Sequence, residues 1–170
     1  LLCREQHLNP LTVMGSYAGA IGQPQFMPSS YRYYAVNFSG SGKTDLMSDE
    51  IDVIGSVANY YQKHGWVKDA HVAEPAVISG DSYQSLLEMN SPNQAYRLDE
   101  LKNYGITPKR PLVAKDEWVK VIALDSRISK EYWLGFRNFD VIKRYNPSDL
   151  YAMAVYQLSN YIKEARTPST

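Results

Sequence analysis

Two stretches of this chain carry residue types at spacings that could do chemistry. Gly40-Ser41-Gly42-Lys43-Thr44 has the glycines, lysine and hydroxyl of a phosphate-binding loop, and Val121-Ile122-Ala123-Leu124-Asp125 resembles the apolar strand ending in aspartate that often accompanies one. The full loop needs a glycine five positions before Gly42, where Asn37 stands. The acids that follow, Asp45, Asp49, Glu50 and Asp52, would repel a nucleotide's phosphates. The same stretch also reads as a calcium loop. Asn37, Ser39, Ser41, Lys43 and Asp45 alternate around Gly42 as an EF-hand spaces its oxygen ligands. The affinity of a hard cation follows its carboxylate count. The first three positions here are Asn, Ser and Ser, and Ser48 stands where a bidentate Glu belongs, while Asp49, Glu50 or Asp52 can compensate only in part. An ordinary turn kept for its shape is the simpler reading. Calcium is left as an open but weak ligand, at or beyond the ~10⁻⁴–10⁻³ M of the poorest such sites.

The elements around this loop follow from periodicity and punctuation. Leu1 to Leu8 reads as the tail of a helix stopped by Asn9-Pro10. Gly15 to Gly22 is a small-residue stretch suited to close backbone approach, and Pro28-Ser29-Ser30 opens a short segment through Val36. A helix is expected from Asp49 to His64, capped by Ser48 or Asp49 and stopped at Lys63-His64-Gly65. Its Ile51, Ile54, Ala58 and Tyr61 would face a core. Leu98, Leu101 and Tyr104 before Gly105 suggest another short helix. Trp118 to Leu124 and Tyr132 to Lys143 read as strands, the latter with a hairpin around Arg137-Asn138. Asn146-Pro147-Ser148-Asp149 signals a final helix, with Asn146 as its cap and Tyr151, Ala154, Val155, Leu158, Ile162 and Ala165 as its apolar stripe. The class is α+β, mainly α.

Composition sets bounds on this picture. The 170 residues are 44% hydrophobic and 21% charged, ordinary for a globular chain, and the formal net charge of +0 points away from a nucleic-acid partner. No apolar run approaches the ~20 residues of a transmembrane helix. Cys3, the single cysteine, allows no internal disulfide, and Leu2 is not the small residue that a lipidation site places before its cysteine. Cys3 is therefore expected as a helix-buried thiol.

The segment from Gly15 to Tyr31, Gly-Ser-Tyr-Ala-Gly-Ala-Ile-Gly-Gln-Pro-Gln-Phe-Met-Pro-Ser-Ser-Tyr, is similar to the signature of the membrane-bound lytic murein transglycosylase B family. Ile54 to Tyr60 leading to His64-Gly65-Trp66, then Arg144-Tyr145-Asn146 and Tyr151 to Val155, match again in the same order, whereas residues 67 to 130 match only loosely. The resemblance implies a lysozyme-like helical lobe with a small antiparallel β insert. It divides the chain into a helical core segment (1–66) with the EF-hand-like loop 37–48, a mixed insert (67–140), and a C-terminal segment (141–170) whose helix packs back on the core. It also implies cleavage of the β-1,4 bond between N-acetylmuramic acid and N-acetylglucosamine, with a 1,6-anhydromuramyl product. A single glutamate acts there first as acid and then as base.

By position, the resemblance gives Ser16 as the hydrogen-bond partner of that glutamate and Gln25 as a substrate contact. Phe26, Tyr60, Tyr145 and Tyr151 would line sugar subsites with Asn146 alongside. Gln25, Tyr60, Tyr145 and Tyr151 are expected to share one groove. Aromatic rings suit apolar sugar faces, and a Tyr hydroxyl adds a donor and acceptor. The family can carry calcium in the loop, so Asn37, Ser39, Ser41, Lys43 and Asp52 are the metal candidates, with no cofactor required. The family's catalytic glutamate precedes Ser or Thr well before the signature. None of the eight glutamates here does so, and the acid is expected upstream of residue 1, in a missing N-terminal portion of the same protein. The expected partner is the peptidoglycan glycan strand, with no nucleic acid. The expected location is periplasmic or outer-membrane-associated in a Gram-negative bacterium.

Overall fold

Proline, caps and left-handed residues decide where the short helices of the first unit begin and end. In a computed structural model, which describes residues 1–89, 94–112, 117–126 and 128–166, the chain divides into two units, Leu1–Gly65 and Trp66–Thr170. The first unit holds α1 (Leu2–Glu5), α2 (Pro28–Tyr34) and α3 (Glu50–Lys63). Helix α1 ends earlier than expected because His7 turns to φ 53 right after the Gln6 cap. Cys3 lies in α1 and is half-buried rather than enclosed. Pro28 stands at the start of α2, where its fixed φ suits the first turn, and the helix buries Tyr31. Asp49 caps α3, its carboxylate accepting the N–H groups of Ile51 (3.0 Å) and Asp52 (3.3 Å).

The face α3 buries is not the expected one. Ile51 and Ile54 are 56% and 70% exposed, and the buried residues are Asp52, Gly55, Ser56 and Tyr60. The reason is that this face packs against backbone. The Ser56 Oγ accepts Val36 N–H at 3.0 Å. Asp52 accepts the N–H groups of Phe38 (2.8 Å), Ser39 (2.8 Å) and Asp45 (2.9 Å). A Cβ on Gly55 would lie 2.5 Å from the Phe38 side chain. A face built from hydrogen bonds and close approach is invisible to hydrophobic periodicity.

The second unit is built round an antiparallel sheet with strand order β2-β4-β5-β1-β3. In chain order it contains β1 (Ala73–Ile78), α4 (Tyr83–Met89), β2 (Tyr96–Arg97), a 3₁₀ helix over Glu100–Tyr104, β3 (Ile106–Pro108), β4 (Trp118–Asp125), β5 (Lys130–Gly135), α5 (Arg137–Tyr145) and α6 (Asp149–Arg166). The 3₁₀ helix ends at Gly105, whose left-handed φ of 70 supports the expected stop. Leu86, Leu98, Leu101, Ile106, Val119, Val121, Leu134 and Phe136 form the apolar core. Five strands exceed the small insert that was expected, so "mainly α" describes the first unit better than the second.

Two corrections concern the end of the chain. The hairpin is formed by β4 and β5, with Ser126 N–H donating to Ser129 O at 2.9 Å, and not around Arg137-Asn138. Residues Arg137–Tyr145 are helix α5, which buries Asn138, Phe139, Val141 and Ile142. Buried Asn138 obscured the helical period. Its side chain accepts Val67 N–H (2.9 Å) and donates to Val67 O (2.8 Å) and Ala70 O (3.2 Å). Helix α6 starts two residues beyond Pro147. Ser148 replaces Asn146 at the helix start, its Oγ accepting Tyr151 N–H at 3.3 Å, while Asn146 instead ends α5. Helix α6 buries Ala152 and Met153, leaving Leu158 and Ile162 of the expected stripe 58% and 51% exposed. Its Tyr156 hydroxyl donates to Ala73 O at 2.9 Å, tying α6 to β1.

Candidate functional site

The residues expected to touch sugar fall into two groups, one in each unit. In the first, the Gly15–Phe26 segment doubles back on itself through bridges joining Gly15 to Ile21 and Ile21 to Phe26. Ser16 anchors the first bend: its N–H donates to Ala20 O (2.8 Å) and its Oγ accepts Ala20 N–H (3.1 Å), leaving the hydroxyl proton to donate elsewhere. Exposed Gln25 sits at φ 51, a left-handed conformation that an unbranched non-glycine residue adopts only when its surroundings hold it there. The holding bonds are visible on both sides. Ile21 and Phe26 exchange N–H···O bonds of 2.9 and 3.1 Å, and the Gln25 amide donates to Gly22 O at 2.8 Å.

The loop below this bend positions it. Gln23 N–H donates to Leu46 O (2.9 Å) and its side chain to Met47 O (3.1 Å). Gly22 has φ 72 and approaches so closely that a Cβ would lie 2.6 Å from Leu46 O. Asp52 in turn organises the loop, so bonds run from buried carboxylate to loop to Gln25. Gln23, inside the signature block, was not singled out from the sequence as a residue that positions the bend. Phe26 and Tyr60 pack together with ring centroids 5.8 Å apart and are only 2% and 8% exposed. His64 stacks on Tyr60 at 4.0 Å, and its Nδ1 lies 2.7 Å from Tyr60 O. The structure therefore places Phe26 and Tyr60 behind the bend, within the packing of the first unit.

In the second unit, Tyr145 and Tyr151 stack with centroids 6.5 Å apart and planes 8° from parallel, both half-buried. Asn146 lies between them in sequence, its Oδ1 accepting Ser148 N–H at 3.1 Å. Capping two helices within a few residues fixes this segment. Parallel rings at such a place present apolar faces and hydroxyls together.

The oxygens of the metal candidates serve the loop itself in this structure. Ser41 Oγ donates to Lys43 O (2.9 Å), the carbonyl a metal would use, and Ser39 Oγ donates to Asn37 Oδ1 (3.4 Å). Both Asp52 oxygens accept backbone N–H groups, and Asp45 is occupied by Met47 and Ser48. Among the described residues, no group of three or more His, Cys, Asp or Glu side chains is placed to hold a metal. The N–H groups of Ser39 and Asp45 hold the Asp52 carboxyl below the usual range, and the Ser48 hydroxyl does the same for Asp45. The loop also lacks the helix a phosphate site needs directly after Lys43-Thr44, since α3 begins only at Glu50.

A general acid needs a carboxyl still protonated near neutral pH, and Glu5 is pushed the other way. Arg32 grips Glu5 through bonds of 2.6 and 3.0 Å and lowers its pKa. Arg110 binds Glu74 in the same forked manner. Glu50, Glu88, Glu100, Glu131 and Glu164 are exposed. Glu117 is half-buried, with one carboxyl oxygen out of contact with solvent and without a partner among the described residues.

Comparison with known proteins points to one family. A family model described as the transglycosylase SLT domain matches residues 1–160. The membrane-bound lytic murein transglycosylase B of Escherichia coli K12 is 43% identical over 166 residues, covering 98% of this chain and 44% of that protein. Among solved structures, the Escherichia coli lytic transglycosylase SLT35 in complex with calcium superposes with a TM-score of 0.84 at 42% identity, covering 97% of this chain and 51% of that one. SltB3 from Pseudomonas aeruginosa in complex with NAG-anhNAM-pentapeptide gives a TM-score of 0.76 at 27% identity, covering 91% and 41% respectively. The chain thus spans about half the length of these relatives and has the lysozyme-like transglycosylase fold.

Proposed function

The chain belongs to the transglycosylase SLT domain family, and from that premise we propose that it is the glycan-holding part of a peptidoglycan lytic transglycosylase of the bacterial envelope. The reaction cleaves the MurNAc-β-1,4-GlcNAc bond with one carboxyl group. As acid it protonates the leaving glycosidic oxygen. As base it then takes the proton from the sugar's own 6-hydroxyl, which closes on C1 to give the 1,6-anhydro end. The acid comes from outside these 170 residues. None of the eight glutamates precedes Ser or Thr, and Glu5, the one acid before Ser16, is held ionised by Arg32.

Within this chain, Ser16 steadies that carboxyl and Gln25 hydrogen-bonds the glycan. Tyr145, Asn146 and Tyr151 receive sugar rings, and Phe26 and Tyr60 form the packed backing against which Gln25 is held. The observation that carries the reading is Gln25 itself, an exposed amide kept at a left-handed φ of 51 inside the family signature. Peptidoglycan is the substrate class, including glycan whose muramic acid carries a pentapeptide. No helix of the described residues is long and apolar enough to cross a membrane, so periplasmic or outer-membrane placement rests on the relatives.

A catalytically silent peptidoglycan-binding module is the second reading, favoured by the lack of any Glu followed by Ser or Thr. Incubating the chain with purified sacculi and analysing the soluble products by mass spectrometry tests the assignment of the acid. No anhydromuropeptides above a heat-killed control are expected. Their clear appearance, abolished by Glu117→Gln or Glu5→Gln, would overturn it.

A further inference from the structure

Successive residues of an antiparallel strand direct their backbone groups alternately to one neighbour and then to the other. In β4 the phase of that alternation is fixed at both ends. Leu98 N–H donates to Glu117 O at 2.9 Å on the β2 side, and Ser126 N–H donates to Ser129 O at 2.9 Å on the β5 side. Odd-numbered residues from Glu117 to Asp125 therefore aim their N–H and C=O groups away from β5. Strand β5 runs beside β4 from Lys120 to Asp125, whereas β2 meets only Trp118 and Val119. Beyond Val119, the outward groups of Val121, Ala123 and Asp125 have no backbone partner among the described residues. At about 3.4 Å per residue, Val121 to Asp125 present a bare sheet edge of about 17 Å.

A groove of about 950 Å³ follows this edge, and Lys120 to Ala123 line it. Its two sides differ in chemistry. On one, Leu87 packs against the apolar core that includes Val121. On the other, α5 faces Lys120 and Ile122. Lys120 Nζ lies 2.8 Å from Asp140, and a Cβ on Gly135 would meet both Ile122 and Phe139. Lys143 and Arg144 line the groove on that side, with Lys130 and Asp149. Four cations thus face two carboxylates, and each carboxylate already has a lysine, since Lys143 Nζ lies 2.6 Å from Asp149.

We propose that this edge docks an extended segment of another protein, which joins the sheet as a strand beside β4. Its backbone bonds the outward groups of Val121, Ala123 and Asp125. Side chains of a strand alternate between the faces of a sheet. The segment that fits therefore alternates apolar residues, set against Leu87 and Val121, with carboxylates, set against Lys143 and Arg144.

The test is an NMR titration of the full chain at low salt with an end-capped heptapeptide of alternating valine and glutamate. At saturation, hydrogen exchange at Val121, Ala123 and Asp125 should slow by about tenfold or more, while Ile122 and Leu124, directed at β5, change little. Methylating alternate backbone nitrogens of the peptide should abolish binding in one phase and spare it in the other. A valine–lysine heptapeptide should bind about fivefold more weakly or worse. Ala123→Pro removes one outward N–H, which an edge strand tolerates, and should abolish the protection while leaving shifts in α5 and α6 unchanged. If that variant does not fold, the methylated peptides decide. Four results would overturn the proposal: no saturable binding of the acidic peptide, equal binding of both methylated phases, equal binding of the lysine peptide, or binding that leaves the three amides unprotected. Protection that grows with the concentration of the chain alone overturns it too, by giving the edge to a second copy.

Discussion

The two units differ in what they add to an apolar core, the first joining buried Asp52 and Ser56 to Ile21, Phe26, Tyr31, Leu46 and Tyr60. The second buries a conventional set of Leu, Ile, Val and Phe side chains between sheet and helices. The first turns Ile51, Ile54, Tyr17 and Leu11 outward and places Asp52 and Ser56 at 0% exposure, where they collect backbone N–H groups. An apolar core tolerates small shifts of shape, whereas a carboxylate with three directional donors specifies one loop geometry. The unit organised by polar bonds is the one that carries the signature segment. Its loop fixes Leu46 and Met47, and these fix Gln23 and hence the Gln25 bend.

Removing the central charge should act on one unit and spare the other. Asp52→Asn leaves N–H groups of Phe38, Ser39 and Asp45 facing an amide, so we expect melting of the first unit to fall by about 5–10 °C. Hydrogen exchange should speed up at those three amides and stay unchanged in β4 and β5. Acid should act in the same direction. The folded Asp52 and Asp45 carboxyls titrate below their unfolded values. The stability they contribute is therefore fully present above about pH 4 and is lost as the pH falls through the folded values. Circular dichroism together with amide exchange between pH 6 and 2 should show the first unit opening first. Simultaneous loss of both would break the contrast.

A matched pair of truncations comes next. Leu134→Ala, at a fully buried core position, should cost about 2–5 kcal/mol in denaturant unfolding. Ile54→Ala removes a larger-than-alanine apolar side chain from α3 that is 70% exposed, and should change stability by no more than about 0.5 kcal/mol. Similar losses for the two would show that the α3 stripe is buried after all.

The smallest effect expected is that of calcium. With the loop's oxygens engaged by Asp52, Asp45 and one another, millimolar Ca²⁺ should move the melting midpoint by less than about 2 °C relative to chelator. A shift of many degrees would mean that Asp52 exchanges its backbone donors for a cation.

What the sequence made legible follows the same division. Some caps and stops were readable, because Asp49, Gly65, Gly105 and Pro28 act locally, whereas the Asn146 cap and the Asn9-Pro10 stop were misplaced. The strand Trp118–Asp125 was readable from its apolar run. Which side of α3 faces inward was not, since Asp52, Gly55 and Ser56 look like a solvent face until the loop they bind is in place. Helix α5 was mistaken for strand for the same reason, with Asn138 serving as a buried clasp for Val67 and Ala70. At the candidate site, Gln25 and the Tyr145–Tyr151 pair could be picked out from motif resemblance, but the left-handed turn at Gln25 could not. Phe26 and Tyr60 could be named without showing that they lie at 2% and 8% exposure, because aromatic residue type does not separate packing from contact.

The most direct test of the glycan-holding role is a backbone and tyrosine-ring NMR titration of the chain with a peptide-free GlcNAc–MurNAc tetrasaccharide. Saturable shifts should centre on Gln23–Phe26 in the first unit and on Tyr145, Asn146 and Tyr151 in the second. They should weaken by about tenfold in affinity for Gln25→Ala, the loss of one well-placed amide contact. No saturable shifts at either group, or shifts confined to residues outside both, would contradict the account.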